Sequence, residues 1–328
     1  MRIYVVGSGA MGSLYGGLLN RAGYDVTLID LWAEHVEAIN QKGLHLDGIS
    51  GDLTLKLKAV TKTRDAGVAD VVFIQVNTYN TTAAAQTARQ LLKPSGYAVS
   101  FQNGAGNVET LIEVLGKERV VGGLSYHSAA AIAPGHARHT HHGPTWLGEL
   151  DGSKTPRVQV LSDALQSAGL EPVIVDDIVG YSWTKVILNS AINPICAAMG
   201  IRVGEVPRTP GADELQTRIV EEAIAVLTAK GVKLVDPDPM ATIKAHCRHK
   251  FNKPSMLQHM EHGKETEVDS LNGAIVRMGR ALGVPTPYNE ALTWMVKGIN
   301  AHRRLVMHGP PIDYDALEKE ANKAVSAK

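Results

Sequence analysis

The chain reads as an α/β domain built on a parallel sheet, joined to an all-helical domain. Three observations point to this. The first half alternates short β-branched runs with helical patterns, the β-α-β rhythm of a parallel sheet with helices on both sides. Segment 71–76 (VVFIQV) is almost wholly apolar, as expected of a parallel strand covered on both faces. Beyond Asp177 long helical patterns take over. At 328 residues the chain exceeds one ordinary core, and the change of character falls near 170–180. Two domains are therefore expected, 1–175 and 176–328.

In chain order, 3–6 predicts a strand, 11–22 a helix stopped by Gly23, and 25–29 a second strand. A helix over 33–42 ends at Gly43. Residues 44–59 read as a pair of strands around Asp47-Gly48 or Ser50-Gly51. After the apolar strand come a helix over 82–92, a Pro-Ser-Gly turn and a strand over 97–102. Residues 120–147 combine strand-like pieces with a Pro134-Gly135 turn and read as the antiparallel end of the sheet. The second half predicts helices over 181–199, 213–230, 237–251, 265–282 and 288–307.

Composition narrows the function classes. Thirty-three basic residues balance thirty-three acidic ones, so neither nucleic acid nor an anionic membrane is favoured as partner. The 44 % hydrophobic and 20 % charged content is that of a globular chain. No run of about 18 apolar residues predicts a membrane span, and the first residues read as a strand rather than a signal peptide. With only Cys196 and Cys247, a reduced thiol pair and a cytoplasmic location are expected.

Gly7-Ser8-Gly9-Ala10-Met11-Gly12 is G-x-G-x-x-G between a strand and a helix, the setting of a dinucleotide site. Gly7 permits the tight turn, Gly9 lets a pyrophosphate approach the backbone, and Gly12 lets helix and strand pack closely. The helix N-terminus offers unpaired N–H groups to the phosphates. Asp30, at the end of the second strand, can accept from the adenosine ribose hydroxyls and repels a 2′-phosphate. No Arg or Lys occupies 31–36, so NAD is favoured over NADP.

Lys185, Asn189 and Asn193 are spaced four apart and form one polar stripe on an otherwise apolar helix. Such a stripe needs partners, water or a ligand. Asn103-Gly104 follows the 97–102 strand, at the carboxyl end of the sheet where ligands bind. Ser255 opens Ser-Met-Leu-Gln, and Glu267, early in the 265–282 helix, is placed to pair with Lys185. His139 and His141 share a strand face among His127, His136 and His142. Without an accompanying Cys or carboxylate cluster they read as exposed strand residues, and no metal is expected.

Together these motifs resemble the ketopantoate reductase (2-dehydropantoate 2-reductase) family over nearly the whole chain. The resemblance runs through the glycine motif, Gln102-Asn103-Gly104-Ala105-Gly106, Trp183-Thr184-Lys185 with Asn189 and Asn193, Ser255-Met256-Leu257-Gln258, and Thr266-Glu267-Val268-Asp269 with Asn272-Gly273. It implies an N-terminal Rossmann-type domain that binds the dinucleotide. It also implies a 6-phosphogluconate dehydrogenase C-terminal-like helical domain for substrate and dimerisation, with the active site in the cleft between them. The implied activity is reduction of a small 2-oxo acid to a 2-hydroxy acid by a nicotinamide cofactor, in a homodimer.

By the same resemblance Lys185 matches the catalytic lysine that protonates or polarises the carbonyl, and Glu267 the acid that orients it and bonds the substrate. Asn103 matches an asparagine at the junction of cofactor and substrate. Asn189, Asn193 and Ser255 match substrate-binding positions. The chain departs from the NADPH-using pattern at Asp30-Leu31-Trp32 and at Asn77-Thr78-Tyr79, where many members carry basic residues. The departures keep open an NAD-dependent D-2-hydroxyacid dehydrogenase. A β-hydroxyacid dehydrogenase of the 6-phosphogluconate type and a non-catalytic NAD-binding sensor are the other readings.

Overall fold

The computed structural model describes residues 1–63 and 67–326. The chain divides into two compact units, Met1–Ile187 with Gly231–Pro237, and Leu188–Lys230 with Asp238–Lys328. The division falls inside one long helix, ten or so residues beyond the change in sequence character, because that helix begins against the first unit.

In the first unit the main sheet is built from β1 (Arg2–Val6), β2 (Asp25–Ile29), β5 (Lys58–Val60), β6 (Ala69–Ile74), β7 (Leu92–Ser100), β8 (Val120–Ser125), β11 (Thr145–Gly148) and β12 (Pro172–Ile174). Its strand order is β12-β11-β8-β7-β6-β1-β2-β5. All neighbours are parallel except β8 and β11, so the expected antiparallel end is present. The strand order reverses direction at β1, between β2 and β6, which makes the carboxyl end of β1 a topological switch point.

Side chains alternate across the sheet, as the two-residue period of a strand requires. Ile3 and Val5 enter one core with Val26, Leu28, Val71 and Phe73. Tyr4 and Val6 enter the other with Ile29, Val72 and Ile74. Helices α1 (Ala10–Arg21), α2 (Ala33–Lys42), α3 (Thr81–Leu91), α4 (Asn107–Leu115) and α5 (Pro156–Ser167) accompany the sheet. Neither α4 nor α5 was expected. α4 is short, at 9 residues, and α5 announces itself only by Pro156 at its first position.

Segment 120–147 departs from the expectation in part. Its middle leaves the main sheet as β9 (Ser128–Ala133) and β10 (His136–His141), turning at Pro134-Gly135. These join β3 (Leu44–Gly48) and β4 (Leu53–Leu55) in a second sheet, ordered β4-β3-β10-β9. The predicted strand pair in 44–59 is thus β3 and β4, while β5 returns to the main sheet. The His139/His141 expectation fails. A register shift between the two residues breaks the alternation, and His139 is buried beside His127 while His141 is exposed.

The second unit is helical: the end of α6 (Ile178–Met199), then α7 (Pro210–Ala229), α8 (Pro239–Arg248), α9 (Ser255–Glu261), α10 (Asn272–Leu282), α11 (Pro287–His308) and α12 (Tyr314–Ser326). Ile192, Ile195, Ile219, Val226, Ile243, Leu257, Ile275 and Val296 are among its buried residues. Pro194 lies inside α6 and has no N–H to give the Ser190 carbonyl four residues back. The Asn272 side-chain amide donates to that carbonyl instead, at 3.1 Å. Among the described residues no helix is long and apolar enough to cross a membrane.

Candidate active site

The glycine turn follows β1 as predicted, and each glycine has its own reason. Gly7 adopts φ +91°, and a Cβ there would meet Val76 Cγ1 at 2.7 Å. A Cβ on Gly12 would fall 1.9 Å from the Gly7 carbonyl oxygen, so strand end and helix touch there with no room for a methyl. A Cβ on Gly9 would meet nothing within 4 Å, so that side of the turn faces open space. Helix α1 begins at Ala10 with no side-chain cap on its first N–H groups and no acidic residue in its first turn. An open approach and uncapped N–H groups fit a pyrophosphate.

Asp30 is tied to this turn. One carboxylate oxygen accepts the Ser8 backbone N–H at 2.6 Å, and the other accepts the Trp32 N–H at 2.9 Å. The expected ribose acceptor thus also orders the loop, which leaves the N–H groups of Gly9, Ala10 and Met11 for an anion. Leu31 and Trp32 are exposed beside it.

Asn103 sits on the loop between β7 and α4. A polar network sets that loop. Gln102 Nε2 donates to the Val76 carbonyl at 2.7 Å and to Thr81 Oγ1 at 2.9 Å. Thr81 donates to Asn107, and Asn107 Nδ2 donates to the Asn103 carbonyl at 2.9 Å. Because Val76 also packs where a Gly7 Cβ would sit, the glycine turn and the Asn103 loop share one support.

Lys185 and Asn103 line the same pocket, together with Gly104, Gly123, Ser182 and Trp183. Lys185 is only 8 % exposed. Its Nζ donates to the Ser125 carbonyl and lies 5.2 Å from the centre of the Tyr126 ring, a cation–π contact. Tyr126 meets Trp146, which meets Tyr181 one helical turn before Lys185. Burial raises the Tyr126 hydroxyl above its ordinary pKa, so it stays protonated. A buried ammonium held by a backbone carbonyl and a π face is equipped to stabilise a developing oxyanion.

The remaining expected residues belong to the second unit. Asn189 and Asn193 continue the α6 stripe and are half-buried. Ser255 opens α9 and is exposed. Glu267 is half-buried, and its setting differs from the expectation. It precedes a 3-10 turn, Val268–Ser270, rather than lying in a long helix. Ser270 Oγ donates to the Glu267 carbonyl at 2.9 Å, and Leu271 (φ −106°, ψ −101°) breaks the helix before α10.

Sequence reasoning missed Ser13, His35, Thr81, Asn107 and Ser125 as supports of these loops. Each is also tied to a residue on a separate element, Ser13 to His35, His35 to Gly135, Thr81 to Asn107 and Ser125 to Lys185, and no local pattern signals such a link. It also missed the grouping of His45, Asp47 and His136 in the second sheet. Both Asp47 oxygens there are taken by the Arg138 guanidinium at 2.7–2.8 Å, which pulls the carboxyl well below the usual carboxylate range.

Comparison with known proteins adds a separate finding. The family model described as ketopantoate reductase PanE/ApbA matches residues 3–152, and its C-terminal counterpart matches 177–300. A 2-dehydropantoate 2-reductase of Pyrococcus abyssi is 35 % identical, covering 92 % of this chain and 98 % of its own. A PanE/ApbA family ketopantoate reductase from Ralstonia eutropha JMP134 superposes with TM-score 0.86 at 33 % identity, covering 93 % of this chain and all of that one. D-mandelate dehydrogenase, solved with NADH and anilino(oxo)acetate, also superposes with TM-score 0.86, at 27 % identity, over 92 % of this chain and 99 % of that one.

Proposed function

Since this chain belongs to the ketopantoate reductase family, we propose that it reduces a 2-oxo acid to the 2-hydroxy acid, as in the conversion of 2-dehydropantoate to pantoate, with NADH as donor. The observation that carries this reading is the buried Lys185 ammonium in the pocket of the Asn103 loop, which shares its support with the glycine turn.

When bound, a nicotinamide dinucleotide would supply the hydride that reduces the carbonyl carbon. Negative charge then develops on the carbonyl oxygen. The Lys185 ammonium stabilises that charge and delivers a proton to it, so the hydroxyl forms and the lysine is left neutral until it is reprotonated from solvent. Gly9, Ala10 and Met11 would hold the pyrophosphate by their backbone N–H groups, with Gly7, Ser8 and Gly12 shaping the turn. We assign Asn103 the part of the family's asparagine at the junction of cofactor and substrate. We assign Glu267 the part of the family's orienting and substrate-bonding acid, and Asn189, Asn193 and Ser255 the parts of its substrate-binding residues. Residues 1–175 are assigned to the dinucleotide and 176–328 to substrate and dimer contacts.

NADH rather than NADPH is favoured by the Asp30 carboxylate beside the turn and by uncharged Leu31 and Trp32 after it. The same loop, together with Asn77-Thr78-Tyr79 in place of a lysine, favours a second reading on substrate, a D-2-hydroxyacid dehydrogenase. The likeness to an NADH-bound D-mandelate dehydrogenase supports it. A homodimer is supported by exposed apolar residues on α11 and α12, among them Trp294, Met295, Leu305, Val306 and Leu317, and light scattering reads it directly. A cytoplasmic location accords with the buried free thiols Cys196 and Cys247.

The test is absorbance at 340 nm with a panel of 2-oxo acids, including 2-dehydropantoate, benzoylformate and pyruvate, under NADH and NADPH in parallel. Steady NADH oxidation with one of them is expected. Nucleotide binding without oxidation of any member would leave the sensor reading in its place.

A further inference from the structure

His35 has no part in the chemistry described so far, yet it is wired to the glycine turn. It lies in the first turn of α2 and is 2 % exposed. Its Nδ1 accepts the Gly135 backbone N–H at 2.9 Å. An amide N–H only donates, so Nδ1 is bare and the neutral ring carries its proton on Nε2. Nε2 lies 3.2 Å from Ser13 Oγ, and Ser13 Oγ donates to the Ser8 carbonyl at 2.7 Å. Every hydrogen in this chain therefore has one direction. Gly135 N–H points to His35, His35 Nε2–H to Ser13, and Ser13 O–H to Ser8. Burial lowers the His35 pKa and keeps the neutral ring, with Asp30 opposing.

The chain meets Asp30 at Ser8. The Asp30 carboxylate accepts the Ser8 N–H and the Ser13 hydroxyl donates to the Ser8 carbonyl, so both backbone polar groups of Ser8, on two successive peptide units, are tied from behind the turn. One ring face of His35 stacks on the Trp32 indole, with centroids 4.9 Å apart and planes 11° from parallel. Trp32 is 37 % exposed, two residues after Asp30. Its exposed part thus lies where the loop after β2 meets the adenosine end of a dinucleotide.

We propose that His35 is a positioning residue for the dinucleotide site. In its Nε2-protonated neutral form it couples the glycine turn, through Ser13, to the Trp32 indole, and holds both as one preformed seat for the adenosine half of NADH. The proposal rests on the nicotinamide reading above. It separates affinity from chemistry: His35 touches neither the reacting carbon nor Lys185, so losing it loosens the nucleotide and spares turnover.

The experiment compares the full-length protein with His35→Ala, His35→Gln and Ser13→Ala. NADH Kd is measured by fluorescence titration, and KM and kcat with the best panel substrate. His35→Ala is expected to raise NADH Kd and KM about five- to tenfold, the worth of roughly one hydrogen bond, with kcat within twofold and the 2-oxo acid KM unmoved. His35→Gln, whose amide can donate to Ser13, recovers part of that loss, and Ser13→Ala shows part of it. If His35→Ala does not fold, the other two variants carry the comparison. Unchanged NADH Kd in every folded variant, or a kcat that falls as far as affinity, overturns the proposal. A parent that binds neither NADH nor NADPH overturns the nicotinamide reading beneath it.

Discussion

Replacing Lys185 by Met tests the chemistry most directly. Met keeps an unbranched apolar stem of similar length, so the packing of α6 around Trp183, Val186 and Ile187 is retained while the charge and the proton are removed. Two losses are expected at the transition state. Deleting one preorganised donor to a developing oxyanion costs about 10²–10³ in kcat, and losing general acid catalysis costs about 10²–10⁴. The two overlap in one group, so a fall of about 10³–10⁴ is expected, roughly 4–5 kcal/mol at 1.36 kcal/mol per decade. Stability moves little. The Ser125 carbonyl loses a donor, worth about 1 kcal/mol, but the protein no longer desolvates an ammonium. Single-turnover NADH oxidation, NADH Kd by fluorescence and Tm distinguish the possibilities. A kcat within tenfold of the parent removes Lys185 from the mechanism. A nucleotide Kd that rises in step with the fall in kcat makes it a binding residue instead.

Gly12→Ala forces a methyl to within 1.9 Å of the Gly7 carbonyl oxygen, so the turn must shift. Tm should fall by several degrees and NADH binding should be lost, as read by thermal melts with and without nucleotide. Asp30→Ala removes the acceptor of the Ser8 and Trp32 N–H groups and the charge that repels a 2′-phosphate. The NADH to NADPH ratio of kcat/KM should fall at least about tenfold, and an unchanged ratio places the discrimination elsewhere. Burial among His139 and His142 pushes His127 down to about 4 from 6.5, so the unfolded chain binds its proton first as pH drops. Stability from the neutral ring is therefore full above pH 6.5 and lost on the way to 4. Urea unfolding should show that His127→Gln loses about 2–3 kcal/mol less than the parent between pH 7.5 and 4.5. Asn272→Leu leaves the Ser190 carbonyl without the donor that stands in for Pro194, and should cost about 1–3 kcal/mol in the same assay.

The parallel sheet was legible because it is covered on both faces. Val71, Val72, Phe73 and Ile74 are all fully buried, and an unbroken apolar run is the only pattern such a strand can have. The second sheet was not. His139 and His141 obey strand spacing on paper, but a register shift between them buries one ring and exposes the other. Such a shift sets two residues of one strand against one of its partner, so it depends on the pairing as well as on the strand's own residues. The same limit applies to Glu267. Helical spacing continues through 265–282, yet the backbone breaks at Leu271, where Asn272 is engaged by the Ser190 carbonyl and Asn289. Tertiary partners outweighed local propensity there.

The parts of the site that were readable are those whose physics is local. A glycine needed for φ +91° at position 7, a helix N-terminus left uncapped, and a lysine on an apolar helix each break a local rule, which is where a candidate site shows in a sequence. Support works the other way. Ser13, His35, Thr81 and Asn107 look like ordinary polar residues because each is fully satisfied, by partners up to 100 residues away. A satisfied polar group leaves no trace in a sequence, whereas an unsatisfied one does. Asp30 belongs to both kinds. Its place after β2 makes it the candidate ribose acceptor, and its two bonds to backbone N–H groups make it part of the turn's scaffold. Removing it should therefore weaken NADH by more than one ribose contact, and Asp30→Asn, which keeps an acceptor for one of those N–H groups, should recover part of the affinity without restoring rejection of NADPH.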